Sequence, residues 1–263
     1  MVTTTLDWIL KKLEARGGFW LYAGVLLVVM FLAYGAQVWR LGYYYDDWEG
    51  IFLYKLNFSA AQIWQYFLTD RPFSALVHIL YNPLFGAAPL GWHVWGIVLN
   101  WAAILLIVRT LLSIWPEQVT PIGWIGLLAA LYPGLTRQFV IKTSMPHYTS
   151  LLLFALSVLL MVKAYQSGRH KGWLVSASVA LGVMQVLIIE YFSGLELARF
   201  FVLLYLARRD SSTWAQTLER AIQNYLPYTL IFGVFVVYRF ALLPAMQLEG
   251  MTADHEVSII GQL

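Results

Sequence analysis

Residues 19–39, from Phe19 to Trp39, contain no charged side chain. That run restricts the chain more than any other feature in it. As a helix at 1.5 Å per residue it is about 30 Å long, the thickness of the hydrocarbon core of a bilayer. Bare backbone groups are not tolerated in such a medium, so a single run of this kind enters it as a helix. Further apolar runs recur downstream, and together they exceed what one water-soluble core hides. Of all residues, 60% are hydrophobic and 12% charged, and the mean hydropathy is +0.67. A soluble domain carries about 25% charged residues. The chain therefore reads as an all-α integral membrane protein. A cleaved signal peptide is the competing reading of residues 19–39. The run is longer than a signal h-region, however, and lacks a small-residue cleavage site.

Taken in order, residues 1–18 set Lys11, Lys12 and Arg16 among Leu6, Trp8, Ile9, Leu10 and Leu13, an amphipathic lead-in. Residues 19–39 form the first span. Residues 40–88 are too mixed to span. Ser59 predicts an N-cap for a helix to about Leu68, with Ile63, Trp64 and Phe67 on one face. Pro72 opens a second apolar helix ending near Asn82-Pro83 or Gly86. Both are expected along the interface, and a re-entrant course for the second stays open. Further spans follow at 92–115, at 119–132 (stopped by Pro133-Gly134), at 148–165 after a polar stretch, and at 173–189. Glu190 and a tight turn at Tyr191–Gly194 lead into a sixth, ending before Arg208-Arg209, and 224–243 is the seventh. Residues 19–243 are thus expected as one module of about seven spans. Residues 244–263 read as the start of another outer loop, cut short. No internal repeat is visible.

The basic residues divide unevenly over this layout. Lys11, Lys12, Arg16, Arg109, Lys163, Arg169, Lys171, Arg208, Arg209 and Arg220 fall on the amino-terminal side. Arg40, Lys55, Arg71, Arg137, Lys142 and Arg239 fall on the other. By the positive-inside rule the amino terminus is cytoplasmic, in the cytoplasmic membrane, and the loop 40–88 faces out.

That loop opens on Tyr43-Tyr44-Tyr45-Asp46-Asp47-Trp48-Glu49. In a chain so poor in charge, a cluster of acids needs a reason. Thr69-Asp70-Arg71-Pro72 follows before any new span. Asp46, Asp47, Glu49, Asp70, Arg71, Arg137, Lys142, His147, Glu190 and Arg239 all fall at or near the outer face. A solvated polar loop is the plain alternative for each. A carboxylate at a membrane edge serves as a general base when it reaches the proton it removes. The second acid of a pair positions the acceptor or a divalent cation, so Asp46 and Asp47 are the metal candidates if a metal is used. Arg and Lys hold phosphate, Arg as a fork and Lys as a point charge.

On Tyr45-Asp46-Asp47-Trp48, Asp70-Arg71-Pro72, Leu84-Phe85-Gly86 and Trp92-His93, the chain resembles the GT-C membrane glycosyltransferases. The likeness is to protein mannosyltransferases dependent on dolichyl- or polyprenyl-phosphate mannose and to their aminoarabinose-transferring relatives. It covers residues 19–243. The resemblance implies a seven-span module with interfacial helices in its first outer loop. It also implies transfer of a sugar from a polyprenyl-phosphate donor to a protein or lipid acceptor, with inversion. Asp46 matches the catalytic acid position and Asp47 the second acid. Arg137, Lys142 and Arg239 match by side of the membrane, and Asp70, Arg71, His147 and Glu190 complete the expected substrate contacts. Such enzymes continue beyond seven spans, so the chain is expected to be the amino-terminal part of a longer transferase.

The rival readings are a transporter or lipid-handling scaffold without chemistry, and an inactive fragment. A transporter needs polar residues at mid-membrane and often a repeated half. Only Glu196 and Arg199 lie that deep, spaced i, i+3 as a structural ion pair. His78 and His93 read as interfacial helix residues. The absence of Cys excludes disulfides, thiolate metal sites and cysteine nucleophiles. No phosphate loop or zinc spacing occurs, and no basic patch points to nucleic acid. The partners beyond donor and acceptor are membrane lipids, which the 12 Trp and 16 Tyr suit.

Overall fold

A computed structural model describes residues 18–68, 70–132, 140–167 and 171–247. The chain is all-α, with no strand among these residues. It opens with α1 (Gly18–Ala33) and a 3-10 turn at Gly35–Arg40. Three short helices follow: α2 (Asp47–Lys55), α3 (Ala60–Phe67) and α4 (Ser74–Phe85). The body is α5 (Pro89–Ile114), α6 (Val119–Leu131), α7 (Ile141–Gln166) and α8 (Lys171–Ile188). A 3-10 turn at Glu190–Leu195 leads into α9 (Glu196–Arg209). The chain then forms α10 (Trp214–Tyr225), a 3-10 turn at Leu226–Tyr228, α11 (Thr229–Val237) and a π-helical turn at Tyr238–Leu242.

Five helical stretches are long and apolar enough to cross a membrane: Gly18–Arg40, Pro89–Ile114, Ile141–Gln166, Lys171–Ile188 and Trp214–Gln247. They coincide with five of the spans read from the sequence. The other two are the short helices α6 and α9, of 13 and 14 residues. At about 20 Å each, they fall short of a hydrocarbon core of about 30 Å. The helices of the first loop, of 9, 8 and 12 residues, are also too short to cross. The Ser59 cap is present as a full capping box. Gln62 N–H donates to Ser59 Oγ at 3.3 Å, and Ser59 N–H donates to Gln62 Oε1 at 2.9 Å.

The bundle is held by apolar burial and by a few polar ties between helices. Tyr22 donates its hydroxyl to the Gly123 carbonyl at 2.8 Å, and Trp101 Nε1–H donates to the Ala23 carbonyl at 2.9 Å. These fasten α1 to α6 and to α5. On α7 and α8 the small residues Ser157 and Ser178 meet, Ser178 Oγ donating to the Ser157 carbonyl at 2.6 Å. Small side chains let two helices approach closely where water does not drive them together. Against this seam lies the expected pair of α9. Arg199 is fully buried, donates to Glu196, and reaches Ser157 Oγ at 2.9 Å through Nη2. Its guanidinium lies 5.3 Å from the Phe154 ring and 5.7 Å from that of Tyr228. Gly182 lets α11 pack close, since a Cβ there would collide with Ile231 Cδ1, and would also lie 3.3 Å from Arg199 Nη2.

One boundary differs from expectation. The polar stretch before residue 148 is not all loop, because α7 already begins at Ile141. Lys142 and His147 therefore stand on the first two turns of a long helix.

Candidate functional site

The acidic pair sits on a turn whose start is held by His93, with Nε2 within 3.1 Å of the Gly42 carbonyl. Tyr45 adopts a left-handed φ of 49°, and α2 starts directly after Asp46. The bend sends the two consecutive carboxylates to different places.

Asp47 is fully buried. Its Oδ2 accepts the Ile141 N–H at 3.0 Å and its Oδ1 accepts the Thr143 N–H at 2.9 Å. These are amides of the first turn of α7, which have no partner within their own helix. Asp47 is thus the N-terminal anion of that helix, supplied from a distant segment. This explains why α7 starts two turns earlier than its local sequence predicts. Burial pushes the Asp47 carboxyl above its ordinary value, and the N–H groups of Thr143, Tyr44, Ile141 and Lys142 pull it part of the way back.

Asp46 is exposed and lines a cavity of about 330 Å³. Glu49 and Gly50 from α2, Tyr66 and Phe67 from α3, Asp70, Arg71, Ser74 and His78 from the next segment, and Thr143, Pro146 and His147 from α7 form the rest of its wall, with Ile189. Of the residues predicted from sequence, Asp46, Glu49, Asp70, Arg71 and His147 converge here. Asp47 does not line the cavity, so the two acids are not a shared cation pair. Among the described residues, no group of three or more His, Asp or Glu side chains is arranged to hold a metal.

The cationic side departs further from expectation. Arg71 is already engaged. Its Nη1 meets Asp70 at 2.6 Å, while Nε and Nη2 donate to Glu190 at 3.1 and 3.0 Å. Its guanidinium also lies 5.3 Å from the Tyr191 ring. Glu190, on the turn after α8, does not line the cavity but holds Arg71 from behind, next to the wall residue Ile189. Burial pushes its carboxyl up, but the Arg71 hydrogen bond, its own backbone and the charges of Arg71 and Arg239 outweigh that and hold it below its usual 4.5. Arg239 is half-buried on the π-helical turn and acts on Glu190 through space. The neighbouring Tyr238 ring stands edge-on to Phe73 at 5.3 Å. Lys142 is not in the cavity wall. It is fully buried behind α2, donates to Asn82 Oδ1 at 2.8 Å, and lies 4.5 Å from the Trp92 ring. The absence of a side chain at Gly50 leaves its path open, since a Cβ there would sit 2.6 Å from Lys142 Cε. Arg137 lies outside the described residues.

Several wall residues were not singled out from the sequence. His147 was, and its ring lies 5.1 Å from that of Tyr191. His78 was read as a plain helix residue, yet it is buried in the cavity wall, its ring stacked on Phe67 at 4.8 Å. Burial, and then the Lys142 charge, hold its imidazole down at about 3, so it is neutral at physiological pH. Glu49 accepts from the Tyr66 hydroxyl at 3.0 Å. The usable signal for this group was spacing: Asp46 and Glu49, and again Ser74 and His78, are one helical turn apart. Compared with protein-family models, with curated proteins and with solved structures, the chain matches none.

Proposed function

We propose that the chain is a membrane glycosyltransferase of GT-C type, with Asp46 as the general base. The supporting observation is the convergence, at one edge of an apolar bundle, of an exposed carboxylate with Arg71 and His147 around a single cavity. In this reading the acceptor hydroxyl gives its proton to Asp46 as its oxygen attacks the anomeric carbon of a polyprenyl-phosphate sugar. The bond from that carbon to the phosphate oxygen breaks, and the lipid phosphate leaves with the electron pair. Inversion follows from the single displacement. Arg71, in the cavity wall, is the cation for the leaving phosphate, which must compete with Asp70 and Glu190 for it. Asp47 holds the base in place from below.

The test is a transfer assay with the protein in lipid and a polyprenyl-phosphate sugar as donor. Asp46→Asn keeps shape and removes the base, and is expected to lower the rate by about 10²–10⁴-fold. An Asp46→Asn protein that transfers at the parental rate would remove Asp46 as the base. A non-enzymatic, lipid-handling reading draws on one observation, that Arg71 is already neutralised by Asp70 and Glu190. Absence of any transfer by the parental protein, with donor bound, would favour it.

A further inference from the structure

The opposite end of the bundle carries a second concavity. Trp92 packs beside the acidic loop, and Arg109 lies about 25 Å further along α5. There a groove of about 560 Å³ runs between α1 and α5, lined by Phe19, Trp20, Trp101, Leu105, Leu106 and Arg109. Its walls are aromatic and held. Trp101 is fixed by its bond to the Ala23 carbonyl, and Phe19 stands edge-on to Trp20 at 5.7 Å. Trp20 is 74% exposed. The only charge in the lining is Arg109, whose guanidinium lies 5.4 Å from the Phe19 ring. No carboxylate pairs with it among the described residues.

Among the described residues the groove is therefore apolar along its length and ends in one cation without a counter-charge. An acyl chain with an anionic head has the complementary form. Arginine matches phosphate oxygens as a planar fork, and basic pockets between membrane helices take lipid head groups. A helix from another protein would have to carry a carboxylate into the apolar layer to satisfy Arg109. Arg109 lies five residues before the end of α5, about 8 Å, so its long side chain can snorkel to a lipid phosphate at the helix end. A choline head would set a second cation beside the guanidinium, so the charge favours a head group that is net negative. We infer that this groove is a binding site for an anionic phospholipid, with an acyl chain along Trp20, Trp101 and Leu105 and the phosphate on Arg109. The site is independent of the chemistry assigned to Asp46.

The experiment is native mass spectrometry of the detergent-solubilised full chain, titrated with phosphatidylglycerol or phosphatidylcholine. One phosphatidylglycerol is expected to bind on the order of fivefold more tightly than phosphatidylcholine, from about 1 kcal/mol per basic residue at an anionic surface. Arg109→Gln gives up the guanidinium contact with the Phe19 ring at the groove's end and is expected to abolish the preference with unfolding unchanged. Trp101→Ala is expected to weaken both lipids. Equal binding of the two lipids by the parental chain would overturn the site, as would a preference that survives Arg109→Gln. A dimer that Arg109→Gln dissociates would assign the groove to a second copy and overturn it equally.

Discussion

Asp47→Asn separates holding from chemistry within the acidic pair. The parental carboxylate accepts from the α7 amides of Ile141 and Thr143, and more weakly, at 3.4 Å, from that of Tyr44. A hydrogen bond to a charged group contributes about 1.5–3 kcal/mol. Asparagine keeps one carbonyl acceptor and turns an NH₂ toward the other amide, so one bond is lost outright and the second loses its charge. Loss of the anion at the helix N-terminus removes about 0.3–1 kcal/mol more. Against this, a neutral amide escapes the burial penalty that pushes the carboxyl up. The balance is a destabilisation of about 2–3 kcal/mol. The assay is unfolding in detergent together with hydrogen exchange of the first two turns of α7, run beside Asp46→Asn. Asp47→Asn is expected to lower stability and expose the amides of Ile141 and Thr143. Asp46→Asn, on an exposed side chain, is expected to leave both as they are. An Asp47→Asn protein with parental stability and protected amides, but no transfer, would refute the division and return Asp47 to the chemistry.

Glu190 carries a pH dependence. Its folded carboxyl lies below the usual 4.5, so protonation favours the unlatched state: the Arg71 clamp is intact above about pH 4.5 and is lost as pH falls through the folded value. Unfolding followed from pH 7 to 3 is expected to show this loss, and Glu190→Gln is expected to remove that component while weakening the chain at neutral pH. In the core, Glu196→Gln leaves the Arg199 charge buried without its counter-ion and is expected to cost about 3–5 kcal/mol. The double replacement Glu196→Gln with Arg199→Met is expected to recover much of this in the same unfolding measurement.

The sequence made the membrane helices legible because their signal is local. Phe19–Trp39 is a charge-free run of span length, Ser59 with Gln62 announces a cap, and Glu196 with Arg199 meets across one turn. What stayed hidden depends on partners far away in the chain. Residues 141–147 look like loop because a lysine, a proline and a histidine crowd them, and their helix is started by an acid from the first loop. Lys142 looks like a surface cation, and only Asn82 and Trp92 reveal its burial. Asp46 and Asp47 are indistinguishable as letters. The left-handed bend at Tyr45 sends one to the cavity and the other under it. For the site itself, the polar stretches flanking the apolar runs pointed to Asp70, Arg71 and His147, which line one cavity with Asp46, and misled for Lys142, which is buried behind α2.

The Asp47 cap also has a consequence for biogenesis. Its partner Thr143 lies 96 residues later in the chain, and Glu190 lies 119 residues after Arg71. At a synthesis rate of about 5–20 residues per second, the first loop waits roughly 5–20 s for the helix it caps, and longer for the carboxylate that holds Arg71. During that interval the acids of the first loop stand in water with no pocket around them. The newborn chain therefore carries these acids without the walls that later surround them. Whatever ligand the cavity takes finds its seat only after α7 and α8 have entered the membrane, so occupancy reports a finished insertion rather than a partial one.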